Sequence, residues 1–275
     1  MNSTRRQSIP IALTIAGSDS GGGAGIQADL KTFAALGVHG TSAITCITAQ
    51  TPRGVTGIQP IRPDMVRKQI EAVFTELGPD AVKAGMLFST DIIRIVAEFF
   101  EKKQQLPLIV DPVMVATSGA VLLKPAAIRT LNDRLLPLAA LVTPNLDEAQ
   151  LLVRRQLRTL EDLLDAAEEI YQSFGCAALV KGGHLRLGKD AVDVLFDGKQ
   201  FTVLKAKRIQ GVSTHGTGCT YSAAIAAFLA RGEKLTMAVT LAKQFITSAI
   251  AQSRRVAGHS VLNPLVGEPH RPCAQ

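Results

Sequence analysis

Residues 214–227 read THGTGCTYSAAIAA, a glycine-flanked turn followed at once by an apolar, alanine-rich segment. The alanine-rich part predicts a helix, and the free N–H groups and partial positive charge at a helix amino terminus bind anions. Glycines directly before such a helix let several N–H groups converge on one point. The stretch therefore favours a site for a phosphoryl group, although a glycine-rich turn that merely starts a helix has the same spacing.

Strand-like and helix-like segments alternate on both sides of this turn. The chain has 47% hydrophobic residues, 4% aromatic residues and no tryptophan, which is typical of a buried parallel sheet packed under helices. Strands are predicted at 9–17, 40–49, 80–83, 107–110, 138–143 and 177–181, with a hairpin at 191–206. Helices are predicted at 25–36, 63–77, 89–103, 125–135, 159–174, 217–231 and 234–255, and Asn145 caps a further one. The expected fold is an α/β fold, with a mostly parallel sheet and helices on both faces.

Glycine, lysine and acidic residues collect where the predicted strands end, and open parallel sheets bind their ligands at that edge. These segments are residues 17–25, 48–51, 83–86, 111–114, 143–148 and 181–184. The glycine cluster at 21–25 lacks the GxGxxG spacing and the following GK[ST] of nucleotide loops. Its small residues are expected instead to let a substrate lie against the backbone.

Charge and cysteine content exclude several function classes. The formal charge is +7, but lysine and arginine are scattered and no aromatic residues interleave with them, so an anionic small ligand is favoured over nucleic acid. The four cysteines have no CxxC spacing, which argues against a metal site or a disulfide framework and for a reducing cytoplasm. No apolar stretch approaches the roughly 20 residues of a membrane span, and residues 9–16 predict a first strand better than a signal peptide.

In six segments, taken in order between about residue 11 and about residue 256, the chain resembles hydroxymethylpyrimidine/phosphomethylpyrimidine kinases of the ribokinase-like superfamily. These segments are residues 12–29, 85–86, 111–114, 143–148, 181–184 and 214–219. The resemblance implies a three-layer α/β/α domain over 1–275, with a core at about 9–258 and flexible ends. It implies phosphoryl transfer from ATP, with Mg²⁺, to 4-amino-5-hydroxymethyl-2-methylpyrimidine and then to its monophosphate, in thiamine biosynthesis. It also implies a cytoplasmic homodimer with small-molecule partners.

The catalytic residues implied by the resemblance lie in the turn quoted first. The N–H groups of Gly216, Thr217, Gly218 and Cys219 are expected to hold the transferring phosphoryl group. Cys219 stands where most ribokinase-like kinases have an aspartate, and cysteine is expected there in the pyrimidine branch. A thiol at a helix amino terminus is expected to have a lowered pKa and to accept the hydroxyl proton, although phosphates would repel a thiolate. The alternative is a small buried residue that happens to be cysteine.

The substrate-binding residues implied by the resemblance are Gln50, Asp29, Gly17, Ala24, Met86 and Val113. An amide such as that of Gln50 offers both a donor and an acceptor to a polar ring edge, but it could also be a solvent-facing strand end. Asp29 is expected either to help bind substrate or to serve as an ordinary partner of the helix dipole. Met86 and Val113 are expected to line the pocket or to belong to the core.

Nucleotide and metal residues are implied in the same way. Lys181, Thr214 and Asn145 are expected to contact ATP, and Asn145 with Glu148 matches the superfamily's Asn-x-x-Glu pattern. Glu148 is expected to orient Mg²⁺ through water, with Asp111 adding negative charge nearby. The alternatives are a helix cap with its capping-box partner for Asn145 and Glu148, and a turn residue for Asp111.

Two departures and three competing functions remain. The chain has Ser20-Gly21 where many relatives have Pro-Ser, and Ser213 where asparagine is common. A pyridoxal kinase is the second enzyme hypothesis, since the superfamily includes kinases of vitamin B6 alcohols. A catalytically idle pyrimidine- or nucleotide-binding regulator and a nucleic-acid-binding module are the alternatives outside enzymes.

Overall fold

A computed structural model of the chain describes residues 8–103, 105–114, 123–183, 185, 189–212 and 215–267. The strands of its main sheet are β1 (Ile11–Asp19), β2 (His39–Thr51), β3 (Gly54–Pro60), β4 (Ala81–Ala84), β5 (Leu108–Val110), β6 (Leu141–Val142), β7 (Ala177–Lys181), β8 (Asp190–Phe196) and β9 (Phe201–Lys207). The helices are α1 (Gly25–Ala35), α2 (Pro63–Glu76), α3 (Thr90–Phe100), α4 (Pro125–Thr130), α5 (Leu146–Val153), α6 (Leu160–Phe174), α7 (Thr217–Ala230) and α8 (Leu235–Ala251).

The main sheet has a parallel centre and antiparallel edges. Its strand order within the described ranges is β3-β2-β1-β4-β5-β6-β7-β8-β9. The strands from β2 to β7 in that order pair in parallel, whereas β3 pairs antiparallel with β2, and β8 and β9 continue antiparallel from β7. The parallel strands all end at one edge, so the loops that follow them meet there.

Helices cover both faces of the sheet. Successive side chains of a strand point to opposite faces, and in β5 Leu108 and Val110 join one buried cluster while Ile109 joins the other. The first cluster includes residues of α3 and α6, and the second includes residues of α1, α7 and α8. This arrangement confirms the predicted three-layer α/β/α architecture.

Three parts of the prediction are corrected by the structure. The predicted strand at 138–143 is reduced to Leu141–Val142, because a π-helix (Leu131–Leu135) and a 3₁₀ turn (Leu136–Leu138) continue α4 up to it. The last helix ends at Ala251 rather than 255, and a small hairpin of β10 (Arg254–Val256) and β11 (His259–Val261) follows.

The third correction concerns β3, a strand that the sequence pattern does not predict. Its sequence GVTGIQP contains two glycines and a proline and carries no buried side chain, so it lacks the apolar alternation that marks a strand. Proline and short, exposed strands are typical of sheet edges, and β3 forms one edge of this sheet. In the described part of the chain, no helix combines the length and apolar character needed to cross a membrane.

Candidate active site

A cavity of about 550 Å³ opens at the edge where the parallel strands end, between those ends and the start of α7. The predicted site residues that line it are Gly17, Ala24, Gln50, Met86, Asp111, Val113, Asn145, Glu148, Lys181, Gly216, Thr217, Gly218 and Cys219. Thr214 lies outside the described residues, and Asp29 does not line the cavity. Residues predicted from separate segments are thus brought together around one space.

The turn at residues 215–219, here called the anion-binding turn, starts α7 in a conformation that requires glycine. Gly216 is the N-cap with φ +78°, and a Cβ added to it would overlap the carbonyl oxygen of Gly23. The Thr220 N–H donates to the Gly216 carbonyl at 2.9 Å, so the N–H groups of the residues between them precede the first helical bonds. These N–H groups face the cavity end of the helix, as an anion site requires.

A buried cation faces the same helix start. A Cβ built on Gly218 would lie 3.3 Å from the Lys181 Nζ and 3.8 Å from the Asp111 Oδ2. Any side chain at position 218 would therefore crowd this ion pair. The glycine lets the backbone of the anion-binding turn come close to the Lys181 charge.

Cys219 sits in an environment that the sequence did not reveal. Its half-buried side chain lines the cavity, and desolvation there raises its pKa to about 11, with the Lys83 ammonium acting in the opposite direction. The expected lowering of the Cys219 pKa by the helix amino terminus is therefore wrong, because desolvation outweighs it. At neutral pH the group is a thiol and carries no charge to repel phosphates.

Asp29 differs from both expectations stated for it. It is fully buried on α1, where its carboxylate accepts from the Lys83 Nζ at 2.8 Å and from the Thr14 Oγ1 at 2.6 Å. It is neither in contact with the cavity nor in the first helical turn. Burial alone would lower the pKa of Lys83, but the Asp29 carboxylate outweighs it and raises that pKa, so Lys83 stays charged beneath Cys219.

Lys181, Asp111 and Glu148 form the charged wall of the cavity. The Lys181 Nζ donates to Asp111 Oδ1 at 3.0 Å, and the Thr143 Oγ1 donates to the same oxygen at 3.1 Å. Burial alone would raise the pKa of Asp111, but Lys181 and Lys83 outweigh it and hold that pKa below its usual value. Asp111 is thus ionised and hydrogen-bonded in the charged wall, so its role exceeds that of an ordinary turn residue.

Glu148 and Asn145 form the capping box of α5. The Glu148 N–H donates to Asn145 Oδ1 at 2.9 Å, and the Asn145 N–H donates to Glu148 Oε2 at 2.8 Å. Both residues also line the cavity, so the capping role and a ligand-facing position coexist. Burial raises the pKa of Glu148 to about 7, with Lys181 opposing the shift and Asp111 adding to it.

Asp111 and Glu148 suit a hydrated magnesium ion but not a metal held by protein alone. Mg²⁺ is commonly bound by one or two carboxylates together with waters and substrate phosphates. No group of three or more histidine, cysteine, aspartate or glutamate residues in metal-binding proximity occurs in the part of the chain that the structure describes. Two partly desolvated carboxylates near an anion site fit a magnesium ion that arrives with its nucleotide.

The opposite end of the cavity is narrow and partly apolar. Gly17 has no room for a side chain, since a Cβ there would lie 2.7 Å from the Met86 Cε and 2.8 Å from the Cys46 Sγ. Val55, on the missed strand β3, lines the cavity close to Gln50, its partner in the β2–β3 pairing. A flat ring bounded by backbone, thioether and an amide edge matches this shape.

Asp19 organises the first loop, defined here as residues 20–24. Its carboxylate accepts from the N–H groups of Gly21 at 2.8 Å, Gly23 at 3.0 Å and Ala24 at 2.8 Å. Burial would raise the pKa of Asp19, but the bonds from His215 and these N–H groups lower it. The acidic residue inside a glycine cluster was the available signal for this role, because aspartate side chains bond the backbone just ahead of them.

Other cavity residues had weaker signals. Lys83 ends the predicted strand at 80–83, and a lysine in a buried strand needs an anionic partner. Asp193 and Lys243 line the cavity from β8 and α8 and form an ion pair of 2.6 Å, but no local pattern links positions so far apart. Ile209, Ile246 and Ile250 give this part of the cavity, here called the distal end, an apolar lining.

The chain is similar to known proteins over most of its length. The family model of phosphomethylpyrimidine kinase matches residues 19–263. A hydroxymethylpyrimidine/phosphomethylpyrimidine kinase of Rhizobium meliloti is 51% identical over 247 residues, which cover 90% of this chain and 92% of that protein. A thiamine biosynthesis bifunctional protein of Geobacter sulfurreducens is 46% identical over 92% of this chain, and the chain spans about half of its length (52%).

Solved structures agree with the fold. The ADP complex of Bacillus subtilis pyridoxal kinase has a TM-score of 0.85 and 39% identity, covering 94% of this chain and 99% of that chain. A phosphomethylpyrimidine kinase structure from Clostridium difficile 630 has a TM-score of 0.78 and 45% identity, covering 88% and 99% respectively. The similarity in sequence and in shape thus extends over most of the chain.

Proposed function

The chain belongs to the phosphomethylpyrimidine kinase family, and from this we propose that it phosphorylates 4-amino-5-hydroxymethyl-2-methylpyrimidine with ATP and then phosphorylates the monophosphate. It is a phosphotransferase with the ribokinase-like fold. The observation that carries the proposal is the anion-binding turn, whose N–H groups meet the cavity between its narrow end and its distal end. That position suits a phosphoryl group passing from a nucleotide to an alcohol.

The narrow end is assigned to the pyrimidine. Gln50 offers a donor and an acceptor to the ring edge and its amino group, and Gly17, Met86, Val113 and Ala24 bound the ring. An alcohol held there points its hydroxyl toward Cys219. Positioning of this kind supplies much of the rate in phosphoryl transfer, because little covalent chemistry falls to the protein.

The distal end and the charged wall are assigned to ATP. Lys181 places positive charge beside the anion-binding turn, where it neutralises phosphate oxygens. Thr214, in the residues just before that turn, and Asn145 at the start of α5 are proposed as further nucleotide contacts. Glu148 and Asp111 would hold Mg²⁺, which supplies charge neutralisation on the phosphates when bound.

Cys219 is assigned to the reacting hydroxyl. As an uncharged thiol it can lie beside that hydroxyl without repelling the phosphates, and it contributes an N–H to the anion-binding turn. Asp29 is assigned an indirect part: it holds the Lys83 ammonium beneath Cys219 and does not itself contact substrate. The positive charge of Lys83 stabilises the negative charge that develops on the attacking hydroxyl oxygen.

Coupled measurement of ADP release tests the function. The wild-type chain is expected to release ADP with the pyrimidine alcohol and again with its monophosphate, whereas Cys219→Ala keeps its fold and loses most turnover. Pyridoxal is measured alongside, because the similarity to pyridoxal kinase structures makes that enzyme the second candidate. A faster rate with pyridoxal by a wide margin would replace the first assignment with the second, and no ADP with either alcohol would favour the idle regulator.

The setting of the enzyme is part of the proposal. We place it in the cytoplasm, in keeping with the free thiols of Cys46, Cys176 and Cys219. We propose one domain over 1–275, supported by the nine-stranded main sheet that contains β1 to β9. We also propose a homodimer, for which the exposed Ile47 on β2 and Ile58 on the edge strand β3 offer apolar surface. Sedimentation at micromolar concentration would distinguish dimer from monomer.

A further inference from the structure

His215 is the first residue of the anion-binding turn, and it lines the cavity. Its Nε2 is 3.3 Å from the Asp19 Oδ2 and 3.4 Å from the Gln50 Nε2. His215 directly precedes the N-cap Gly216, so a change in its position is transmitted to the anion-binding turn. One ring nitrogen therefore faces both the loop organiser Asp19 and the proposed ring reader Gln50.

The packing around His215 ties the first loop to the anion-binding turn. A Cβ on Gly23 would lie 2.8 Å from the His215 Cδ2, and the Gly23 carbonyl touches Gly216. Asp19 fixes the other side of the same loop through three backbone N–H groups. A bond from His215 to Asp19 thus holds the first loop and the anion-binding turn against each other.

The two contacts of the His215 Nε2 demand opposite chemistry. A carboxylate only accepts hydrogen bonds, so Nε2 must carry a proton to bond Asp19. The amide nitrogen of Gln50 only donates, so Nε2 must be without a proton to accept from it. The Thr48 Oγ1 donates to the Ser18 carbonyl at 2.8 Å, and the nitrogen of the Gln50 amide is the atom that faces His215. One nitrogen cannot satisfy both partners at once.

We propose that His215 is a positioning residue that couples the narrow end of the cavity to the anion-binding turn; this rests on the proposed function. When a pyrimidine ring edge accepts from the Gln50 amide, Gln50 no longer competes with Asp19 for the His215 Nε2. The His215 Nε2–H then donates to Asp19. The alcohol thereby strengthens the bond that holds the first loop against the anion-binding turn. Alcohol and nucleotide therefore bind with positive coupling, which restrains ATP hydrolysis when no alcohol is present.

Calorimetric titration with a non-hydrolysable ATP analogue, with and without the pyrimidine alcohol, measures this coupling directly. In wild type the alcohol is expected to tighten the analogue by about tenfold, a typical coupling between two sites. In His215→Ala the two affinities are expected to agree within about twofold. His215→Gln is expected to keep part of the effect, because its amide N–H can donate to Asp19.

His39→Gln is the matched control, since His39 is exposed at the first residue of β2 and does not line the cavity. It should keep the wild-type coupling. Thermal unfolding checks that each variant folds, and the Michaelis constants separate a positioning role from a structural one. His215→Ala is expected to raise the KM of the alcohol, and to raise ATP hydrolysis without alcohol relative to kinase turnover.

Three results would overturn the proposal. The first is an unchanged coupling in His215→Ala. The second is a wild-type affinity for the ATP analogue that is the same with and without the alcohol. The third is an equal loss of analogue binding with and without alcohol in both His215 variants, which would mean a collapsed turn. A wild type that shows coupling but transfers no phosphoryl group to the pyrimidine would instead refute the proposed function alone, and active wild type without coupling would refute this inference alone.

Discussion

Gly216 and Gly23 touch through bare backbone: a Cβ on Gly216 would overlap the carbonyl oxygen of Gly23. The backbones of the anion-binding turn and the first loop therefore approach so closely that no side chain fits at Gly216. This contact fixes where the N–H groups of the turn point.

Replacing Gly216 with alanine should displace the anion-binding turn. The backbone there has φ +78°, and the new methyl group has no space beside Gly23. We expect kcat to fall by about 10²-fold, the scale of a 1 Å misplacement in an active site. Steady-state kinetics measures this loss.

Gly232→Ala is the control for that substitution. Gly232 has φ +85°, and within the described residues no atom lies within 4 Å of a Cβ built on it. It should cost about 1–2 kcal/mol of unfolding free energy, as left-handed backbone does for other residues, and leave kcat unchanged. Equal kcat losses in the two variants would assign the effect to backbone strain in general.

Lys83→Met should destabilise the protein strongly. It leaves the Asp29 carboxylate buried without its cation, a change that costs about 3–5 kcal/mol in other buried pairs. Lys83→Met combined with Asp29→Asn removes both charges and should recover most of that loss. Urea unfolding of the single and double variants measures both values.

The exposed pair of Arg94 with Asp91 serves for comparison, since Arg94→Ala should cost less than about 1 kcal/mol. If the Lys83 variant lost no more unfolding free energy than the Arg94 variant, the buried Lys83–Asp29 ion pair would not contribute to stability.

The thiol of Cys219 should be slow to alkylate at neutral pH. With a pKa of about 11, its thiolate fraction and its reaction rate with iodoacetamide should rise about tenfold per pH unit from 7 toward 10. The measurement uses Cys273→Ser, because Cys273 lies outside the described residues, while Cys46 and Cys176 are buried. A rate that levels off below pH 8 would restore the low-pKa base that the sequence suggested.

Binding of magnesium–ATP should strengthen as pH rises through neutrality. The raised pKa of Glu148, about 7, means that the carboxyl is mostly protonated at pH 6 and mostly ionised at pH 8. Cation binding favours the ionised form, so the affinity should fall about tenfold per pH unit below 7. Titrations with a non-hydrolysable ATP analogue and Mg²⁺ at several pH values give this slope.

Glu148→Gln should weaken that binding and remove its pH dependence between pH 6 and 8. The amide oxygen can still accept from the Asn145 N–H, so the capping box survives. Asp162→Asn changes the exposed capping box of α6 and should leave the pH profile as in wild type. A pH slope that persists in Glu148→Gln would place the titrating group elsewhere.

Local patterns in the sequence predicted the layers of the fold. A few consecutive residues are enough to recognise the apolar runs of β1 and β7, the capping residues of α5 and the glycine turn before α7. Strand β3 escaped because its glycines and proline suit an edge but carry no strand signal. The small β10–β11 hairpin was not predicted for a related reason, since Ala257 and Gly258 form its turn without the usual Asn-Gly or Asp-Gly pair.

The electrostatics of the site could not be read from local patterns. The Lys83–Asp29 pair joins positions 54 residues apart, and Asp19 meets His215 across 196 residues. The sequence placed Cys219 at a helix amino terminus but gave no measure of its enclosure, and enclosure decides its pKa. Asn145 and Glu148 form the cap that was one alternative for them and also line the cavity, while their nucleotide and metal roles stay a prediction.

The first loop comes from the start of the chain and the anion-binding turn from its last quarter, with 196 residues between Asp19 and His215. During translation the amino-terminal half of the sheet can emerge and pair long before the partner of that loop exists. Contacts of such separation are made late, after the loop-closure entropy between them has been overcome. A ribosome-bound chain that stops short of α7 would thus have most of its sheet but not the anion-binding turn. Such a chain could not transfer a phosphoryl group from ATP until synthesis is nearly complete.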